Sequence, residues 1–479
     1  MWAGYWLCSS FFFSSWGDRM WNFAVGLYLV KLSPGSLQLT AIYGTVVTSS
    51  VILFAPAIGS WIDRNNRLVV IRTLLLLQNG FIVCSALFIS LILFRITENK
   101  NVLKLFEVLI ILFGAAANLA SQGEQISITR DWVVVICLNN KDSMARLNAQ
   151  MRRIDLTVTI LAPVAVGSLM SLISDLSGIA FICVWNILSV FSEYFQLRHI
   201  HQTVPELTKK RKNEYTALEE TENDHQVVSG TFEKLKFFYG VLIIYKRQNV
   251  FLAGVAFAIL SLTVLGFNSV TVGYVYSQSV KEIYVSILFG TGALFGILGT
   301  MIFSFLRNKI GLVKTGIIAL GFKCSMLLLC VASIWAPGSP SSFKVSSKNY
   351  ITGINNTIVN SSITSNSSLF YTQSHNTSYV SILLLMIGII LSRTGLWMFD
   401  LTITQLQQEN VEEEFRGVVG GVQFSLNSIL ESTQYILTIF LYRPEDFGIL
   451  VLISFCAVFL SFFIYVFFST KSKSLLKLF

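Results

Sequence analysis

Long apolar runs recur along the whole chain, separated by short polar stretches. Twelve of them are centred near residues 18, 50, 82, 114, 160, 186, 260, 295, 325, 388, 430 and 458. Runs of 18 or more apolar residues are long enough to cross a hydrocarbon core of about 30 Å as helices. The pattern predicts an all-α polytopic membrane protein of twelve transmembrane helices, with no soluble domain of useful size between them. The runs form two sets of six. The first predicts a six-helix lobe over residues 1–197, and the second a six-helix lobe over 248–479. A basic inter-lobe loop over 198–247 joins them. Such a layout suits a secondary transporter whose lobes rock around a site near the bilayer midplane.

Composition agrees with that reading. The 479 residues are 53% hydrophobic and 13% charged, against about 25% charged in a soluble domain. The net charge of +9 is informative by location: Lys and Arg concentrate at 198–247, at Arg64 and Arg67, at Arg307, Lys309 and Lys314, and in the tail "KSKSLLK". All of these fall on one side if both termini are cytoplasmic, as the positive-inside rule expects. Charges so placed argue against nucleic acid and for a multi-pass protein in contact with lipid. The polar stretch 337–378 holds four N-x-S/T sequons within 22 residues, at Asn355, Asn360, Asn366 and Asn376. Twelve spans put this loop outside the cell, where sequons are glycosylated, and the plasma membrane is the expected location. The start "MWAGYWLCSS" lacks a basic n-region and a small-residue cleavage site, so no removable leader is expected. Seven scattered cysteines without a C-x-x-C read as buried small hydrophobes, not as a disulfide or zinc framework.

One motif follows the second run. "GSWIDRNNRL", Gly59 to Leu68, resembles the G-x-x-x-D-R-x-x-R loop of major facilitator proteins, in which Asp and Arg hold a gate shut. Asp63, Arg64 and Arg67 are its candidates, and ordinary flanking charge is the plainer reading. A major-facilitator-like fold is expected.

Polar groups inside the runs are the candidate chemistry. Asp18 and Asn22 are four apart and share a helix face; Gln78 and Asn79 lie in the third run; Asn186 and Glu193, seven apart, share a face of the sixth. Two carboxylates and several amides offer the oxygen ligands that a hard divalent cation takes. An interhelical hydrogen-bond network would use the same residues, and spacing alone leaves both readings open. The four histidines (199, 201, 225 and 375) lie outside the predicted spans, so imidazole, a ligand that favours transition metals, is absent at membrane depth. No P-loop, H-E-x-x-H or Ser/His/Asp set is present, and no enzyme is expected. Asp155 with Arg152 or Arg153 is read as an inter-lobe gate with Asp131 and Arg130. Arg393 and Asp400, seven apart on one face of the tenth run, are expected to form a structural salt bridge with a partner. Lys323 is expected to snorkel, and Trp397 to anchor at the membrane interface.

Several stretches carry a specific resemblance: "SSWGDRMWNFAV", "WIDRNNRL", "TRDWVVV", "RRIDLTVTILAP", "FLAGVAFAILSLTVLGF", "VTVGYVYSQ", "RTGLWMFDLTITQLQQENV" and "RGVVGGVQFSLNSIL". In this order they resemble the ferroportin family of cellular iron exporters across nearly the whole chain. The resemblance implies export of ferrous iron, with cobalt, zinc and nickel as further cargoes. It also implies a first-lobe metal ligand at Asp18, and a calcium site at Asp18, Gln78, Asn79, Asn186 and Glu193. The residue four beyond the Asp is His in vertebrate ferroportins and Asn22 here. The second-lobe site of the family, a Cys and a His, falls on altered positions: "LGFNSV" supplies Asn268 and Ser269, and "ESTQYIL" supplies Gln434. Without the Cys at Ser269, binding of the peptide hormone hepcidin is expected to be weak. A monomer is expected, and no cofactor beyond the bound calcium. A paralogue with altered cation selectivity, and a non-transporting receptor or scaffold, are the alternatives.

Overall fold

The computed structural model describes residues 2–32, 38–96, 98–138, 140–208, 231–266 (with 271, 274, 275 and 278), 282–340, 379–441 and 444–476. Asn268, Ser269 and the sequons at Asn355, Asn360, Asn366 and Asn376 lie outside the described residues, as do most of the inter-lobe loop and the loop around the sequons.

Within hydrocarbon every backbone N–H and C=O must be satisfied inside its own segment, so apolar runs of this length fold as helices. The first half holds α1 (Trp2–Leu32), α2 (Gln38–Arg64), α3 (Arg67–Leu93), α4 (Lys100–Ile126), α5 (Lys141–Leu172) and α6 (Asp175–Thr203). The second holds α7 (Thr231–Arg247), α8 (Phe251–Ile259), α9 (Glu282–Ile310), α10 (Leu312–Ser333), α11 (Val380–Asn410), α12 (Arg416–Phe440) and α13 (Phe447–Leu476). Among the described residues there is no strand. Side-chain caps set several starts: Asn99 accepts from Asn101 N–H, Asn140 from Asp142 and Ser143 N–H, and Ser174 forms a capping box with Ser177.

Each of the twelve runs falls on a helix, but they are not equally apolar. Nine described helices are long and apolar enough to cross a membrane, and α7 with the α8 segment forms a tenth span only as a pair bent by 108°. α1 and α12, at 31 and 25 residues, have the length to span. Asp18, Arg19 and Asn22 dilute one, and Gln423, Asn427, Glu431 and Gln434 the other. The seventh run is interrupted: α8 ends in a 3₁₀ turn over Leu260–Leu262, and Thr263 to Gly266 are not helical.

In the first half α1 packs on α5 and α6, α3 on α4 and α6, and α2 on α4; in the second, α11 packs on α9 and α10, and α13 on α8 and α10. The halves meet chiefly through α2 with α12 and α5 with α9, and more lightly through α5 with α11 and α4 with α12. The α2–α12 crossing is backbone on backbone. A methyl on Gly59 would run into the Gly417 carbonyl, and one on Gly421 into the carbonyl of Ala55. Small residues of this kind let helices approach closely where lipid supplies no hydrophobic drive. Gly59→Val is therefore expected to part α2 from α12. Spin labels on the adjoining ends of the two helices should read a longer distance than in the wild type, and an unchanged distance would show that the contact does not set closure.

Candidate functional site

Asp18 lies halfway along α1 and lines a polar cavity of about 100 Å³ with Asn22, Ser14, Ser121, Gln122 and Glu124. Gln78 Nε2 donates to its Oδ1 at 2.7 Å and Ser121 Oγ to its Oδ2 at 2.5 Å. Asn22 shares the cavity, and its side chain faces open space. Asn79 donates to the Leu75 carbonyl and accepts from Ser189 at 3.3 Å, while Asn186 donates to the Ile182 carbonyl. Glu193 is fully buried, and neither of its carboxylate oxygens has a hydrogen-bond partner. Gln78 Oε1 and Asn186 Oδ1 are likewise buried without partners.

Glu124 was not among the residues singled out from the sequence. It sits in the last turn of α4, 3% exposed, with Oε2 accepting from Ser14 Oγ at 3.2 Å and Oε1 unpartnered. Asp18, Glu124 and Glu193 lie close enough to act on one another electrostatically. Five orphaned acceptor oxygens in one polar region, on Gln78, Glu124, Asn186 and Glu193, fit a hard cation, because such an ion satisfies oxygens that no donor reaches. Among the described residues no three His, Cys, Asp or Glu side chains converge on a single point. A bound ion therefore requires these groups to draw in, with the Gln78 amide turned to present oxygen instead of nitrogen.

The gate candidates divide. Asp63 accepts the backbone N–H groups of Gly417 and Val418, each at 2.8 Å; its carboxylate thereby caps the first turn of α12, where the helix dipole favours negative charge. Arg67 holds Asp131 through two hydrogen bonds, at 2.7 and 3.2 Å, and also pairs with Glu413. Arg416 approaches Asp131 at 3.6 Å. Arg64 is exposed. The expected grouping of Asp131 with Asp155 does not form. A π-helical turn over Ser127–Trp132 directs Asp131 to α3, 64 residues back in sequence. Asp155 instead takes Arg19 at 2.6 Å and Arg152 at 3.1 Å. Arg153 crosses to Thr300 of α9 at 2.9 Å, and Arg130 reaches the Thr404 carbonyl.

Asp400 takes up the expected salt bridge to a partner, Arg152, across the halves at 2.7 Å. Two other expectations in the second half change. Trp397 lies under the Arg152 guanidinium at 4.6 Å and lines a central cavity instead of standing as an isolated anchor. Lys323 does not snorkel; it is 1% exposed and faces the same cavity. Gln434 also lines that cavity, 4% exposed.

A family model described as Ferroportin1 (FPN1) matches residues 3–458. "Solute carrier family 40 member 1" of Danio rerio is 38% identical, over 96% of this chain and 90% of that protein. "Ferroportin" of Homo sapiens is 38% identical, over 92% and 86%. A relative in Oryza sativa subsp. japonica is 31% identical over 93% and 87%. Among solved structures, a bacterial homologue of iron transporter ferroportin in its outward-facing state superposes with a TM-score of 0.77. That match is 24% identical and covers 98% of this chain and 99% of the other. The inward-facing state of a bacterial homologue gives 0.59 at the same identity, over 98% of each chain.

The Arg67–Asp131 pair is 2% exposed on both side chains. Removing one partner of such a pair leaves an uncompensated charge, at a cost of about 3 kcal/mol. Arg67→Met is expected to lower thermal stability in detergent, and adding Asp131→Asn to restore part of the loss. Additive losses would show that the two do not act as a pair.

Proposed function

Because the chain belongs to the ferroportin family, we propose that it exports divalent metal from the cytosol by alternating access. Ferrous iron is the principal cargo, and cobalt, zinc and nickel are secondary ones. The observation that carries this reading is the set of buried acceptor oxygens around Asp18, on Gln78, Glu124, Asn186 and Glu193. A cation carrier needs such a set, whereas a receptor or scaffold would bury apolar groups there at lower cost.

In this reading the closed end of the α2–α12 seam is cytoplasmic, both termini lie on that side, and the plasma membrane is the site of action. Asp63 on the α12 start and Arg67 with Asp131 and Glu413 hold the cytoplasmic end shut while cargo leaves outward. Asp18 is the main anchor of the transported ion. Calcium takes the same region with Gln78, Asn79, Asn186 and Glu193, since six to eight hard oxygen ligands suit that ion and water completes the shell. Transition metals bind weakly, because Asn22, Ser269 and Gln434 stand where softer donors would favour them. Weak binding is compatible with transport, since a carrier must also release its cargo.

The test is radiometal efflux and calcium binding with purified protein. Asp18→Asn should abolish efflux and calcium binding, and Glu193→Ala, Asn186→Ala and Glu124→Gln should each weaken calcium binding. If Asp18→Asn transports normally, the anchor is misassigned. If Glu193→Ala and Asn186→Ala bind calcium as the wild type does, the cage is wrong.

Hepcidin tests the second half. With Ser269 in place of a thiol, it should bind at least tenfold more weakly than to a Cys-bearing ferroportin, about 1.4 kcal/mol. Ser269→Cys should recover part of that difference. Tight binding to the unaltered chain would overturn the argument.

A further inference from the structure

A further cavity, of about 570 Å³, opens where α7 turns into α8. A bend of 108° separates the two helices. Where α8 crosses the membrane, α7 therefore runs near its plane, as an interfacial helix does. The starts of α8 and α10, the end of α11 and Phe468 of α13 form the other walls. Neither helix start carries a side-chain cap, so their dipoles add positive potential to the space.

The charge around it is one-sided. Lys141, Lys246, Arg247 and Lys471 line it against a single carboxylate, Glu409. Glu409 is already engaged: Lys141 holds it at 3.1 Å, and Gln405 Nε2 donates to it at 2.7 Å. Lys246, Arg247 and Lys471 are exposed and make no hydrogen bond or ion pair among the described residues. Scattered surface cations are simply hydrated, but these three converge on one concave space from α7 and α13, which are remote in sequence. Exposed apolar side chains flank them on both helices. Tyr239 and Leu242 share a face of α7 with Lys246, and Phe467 lies four residues before Lys471 on α13. A soluble phosphate would use the cations and leave that apolar border in water. A phospholipid uses both, with its phosphates on the cations and its chains along Tyr239, Leu242 and Phe467.

We infer that this cavity binds the headgroup of an inner-leaflet phosphoinositide, a lipid whose inositol ring carries phosphate monoesters beyond the bridging diester. A singly charged headgroup would leave most of the unpaired cations uncompensated. Arg247 can fork onto two oxygens of one phosphate, while Lys246 and Lys471 act as point charges on the others. The volume is in the range of sites that enclose a small molecule. The assignment to the inner leaflet rests on the orientation proposed above. Binding itself does not, because a short-chain lipid in solution reaches either end of the molecule.

The test titrates the purified full chain, in a nonionic detergent at fixed ionic strength, with dioctanoyl phosphatidylinositol bisphosphate, dioctanoyl phosphatidylserine and inositol trisphosphate. The bisphosphate lipid should bind saturably. Phosphatidylserine, without monoesters, and inositol trisphosphate, without chains, should each bind far more weakly. Lys246→Gln with Arg247→Gln should weaken binding about thirtyfold and Lys471→Gln about fivefold, the worth of two and of one basic residue near anionic lipid. Lys246→Arg with Arg247→Lys keeps the charge and should keep most of the affinity. Lys309→Gln removes an exposed cation outside the cavity and should change little. Absence of saturable binding, equal binding of phosphatidylserine, or unchanged affinity in the double Gln variant would overturn the site. So would a loss in Lys309→Gln as large as in the double variant, since bulk charge alone produces that result. If inositol trisphosphate binds as tightly as the lipid, the occupant is a soluble polyphosphate and the lipid assignment falls.

Discussion

An ionised side chain at membrane depth is costly unless it is paired or faces water, and the placement of charge in this molecule follows from that constraint. Leu53, Phe54, Val184, Leu188 and Phe191 are among the exposed apolar side chains a lipid-facing surface needs. The ionised groups gather where the halves meet: Arg19 and Arg152 on Asp155, Arg152 on Asp400, Arg67 on Asp131. Lipid offers no hydrophobic force to hold one helix against another. The halves are therefore joined by glycine contacts, hydrogen bonds and cross-half ion pairs such as Arg152 with Asp400, all of which can be exchanged for water when the seam opens.

The pairs at the closed end differ in what they join. Arg67 and Asp131 both belong to the first half, so their bond travels with it and need not break. Asp63 with the Gly417 and Val418 N–H groups spans the halves, as do Arg67 with Glu413 and Arg416 with Asp131. Asp63 is the economical choice for a latch. It satisfies two of the orphan N–H groups that every helix start carries and gains from the α12 dipole, yet water can replace it on both sides. The absence of side chains at Gly59 and Gly417 brings the backbones close enough for the carboxylate to reach.

Periodic apolar runs made the helices legible in the sequence, because membrane burial leaves few other solutions. The motif around Asp63 marked that residue as a candidate by its spacing and by its position after the second run, and its carboxylate reaches the start of α12. Which charges would meet was not legible. Asp131 and Arg67 are 64 residues apart, and nothing in the sequence marks the π-helical turn that aims Asp131. Glu124 lay in the polar stretch "SQGEQ" at the end of a run and was not singled out. Its signal was available: it falls three residues after Ser121, a helical neighbour facing Asp18. The broken seventh run reads as uninterrupted hydrophobicity from Phe251 onward, so the opening at Thr263 to Gly266 appears only in three dimensions. Lys323 and Trp397 were misjudged for the same reason, since a central cavity offers water and partners that a single span does not suggest.

The two halves face each other with opposite chemistry, acceptors around Asp18 and donors around Lys323 and Arg393. Like charges in a medium of effective dielectric near 20 repel by about 4 kcal/mol at 4 Å and by less farther apart, so under the proposed function the cations of the second half raise the energy of an ion held at Asp18. That opposes tight binding. It acts against a cluster of three acids, Asp18, Glu124 and Glu193, whose undiluted field would retain a divalent ion. A carrier cycles only if its cargo also leaves, and a positive wall across the seam supplies repulsion without occupying a ligand position.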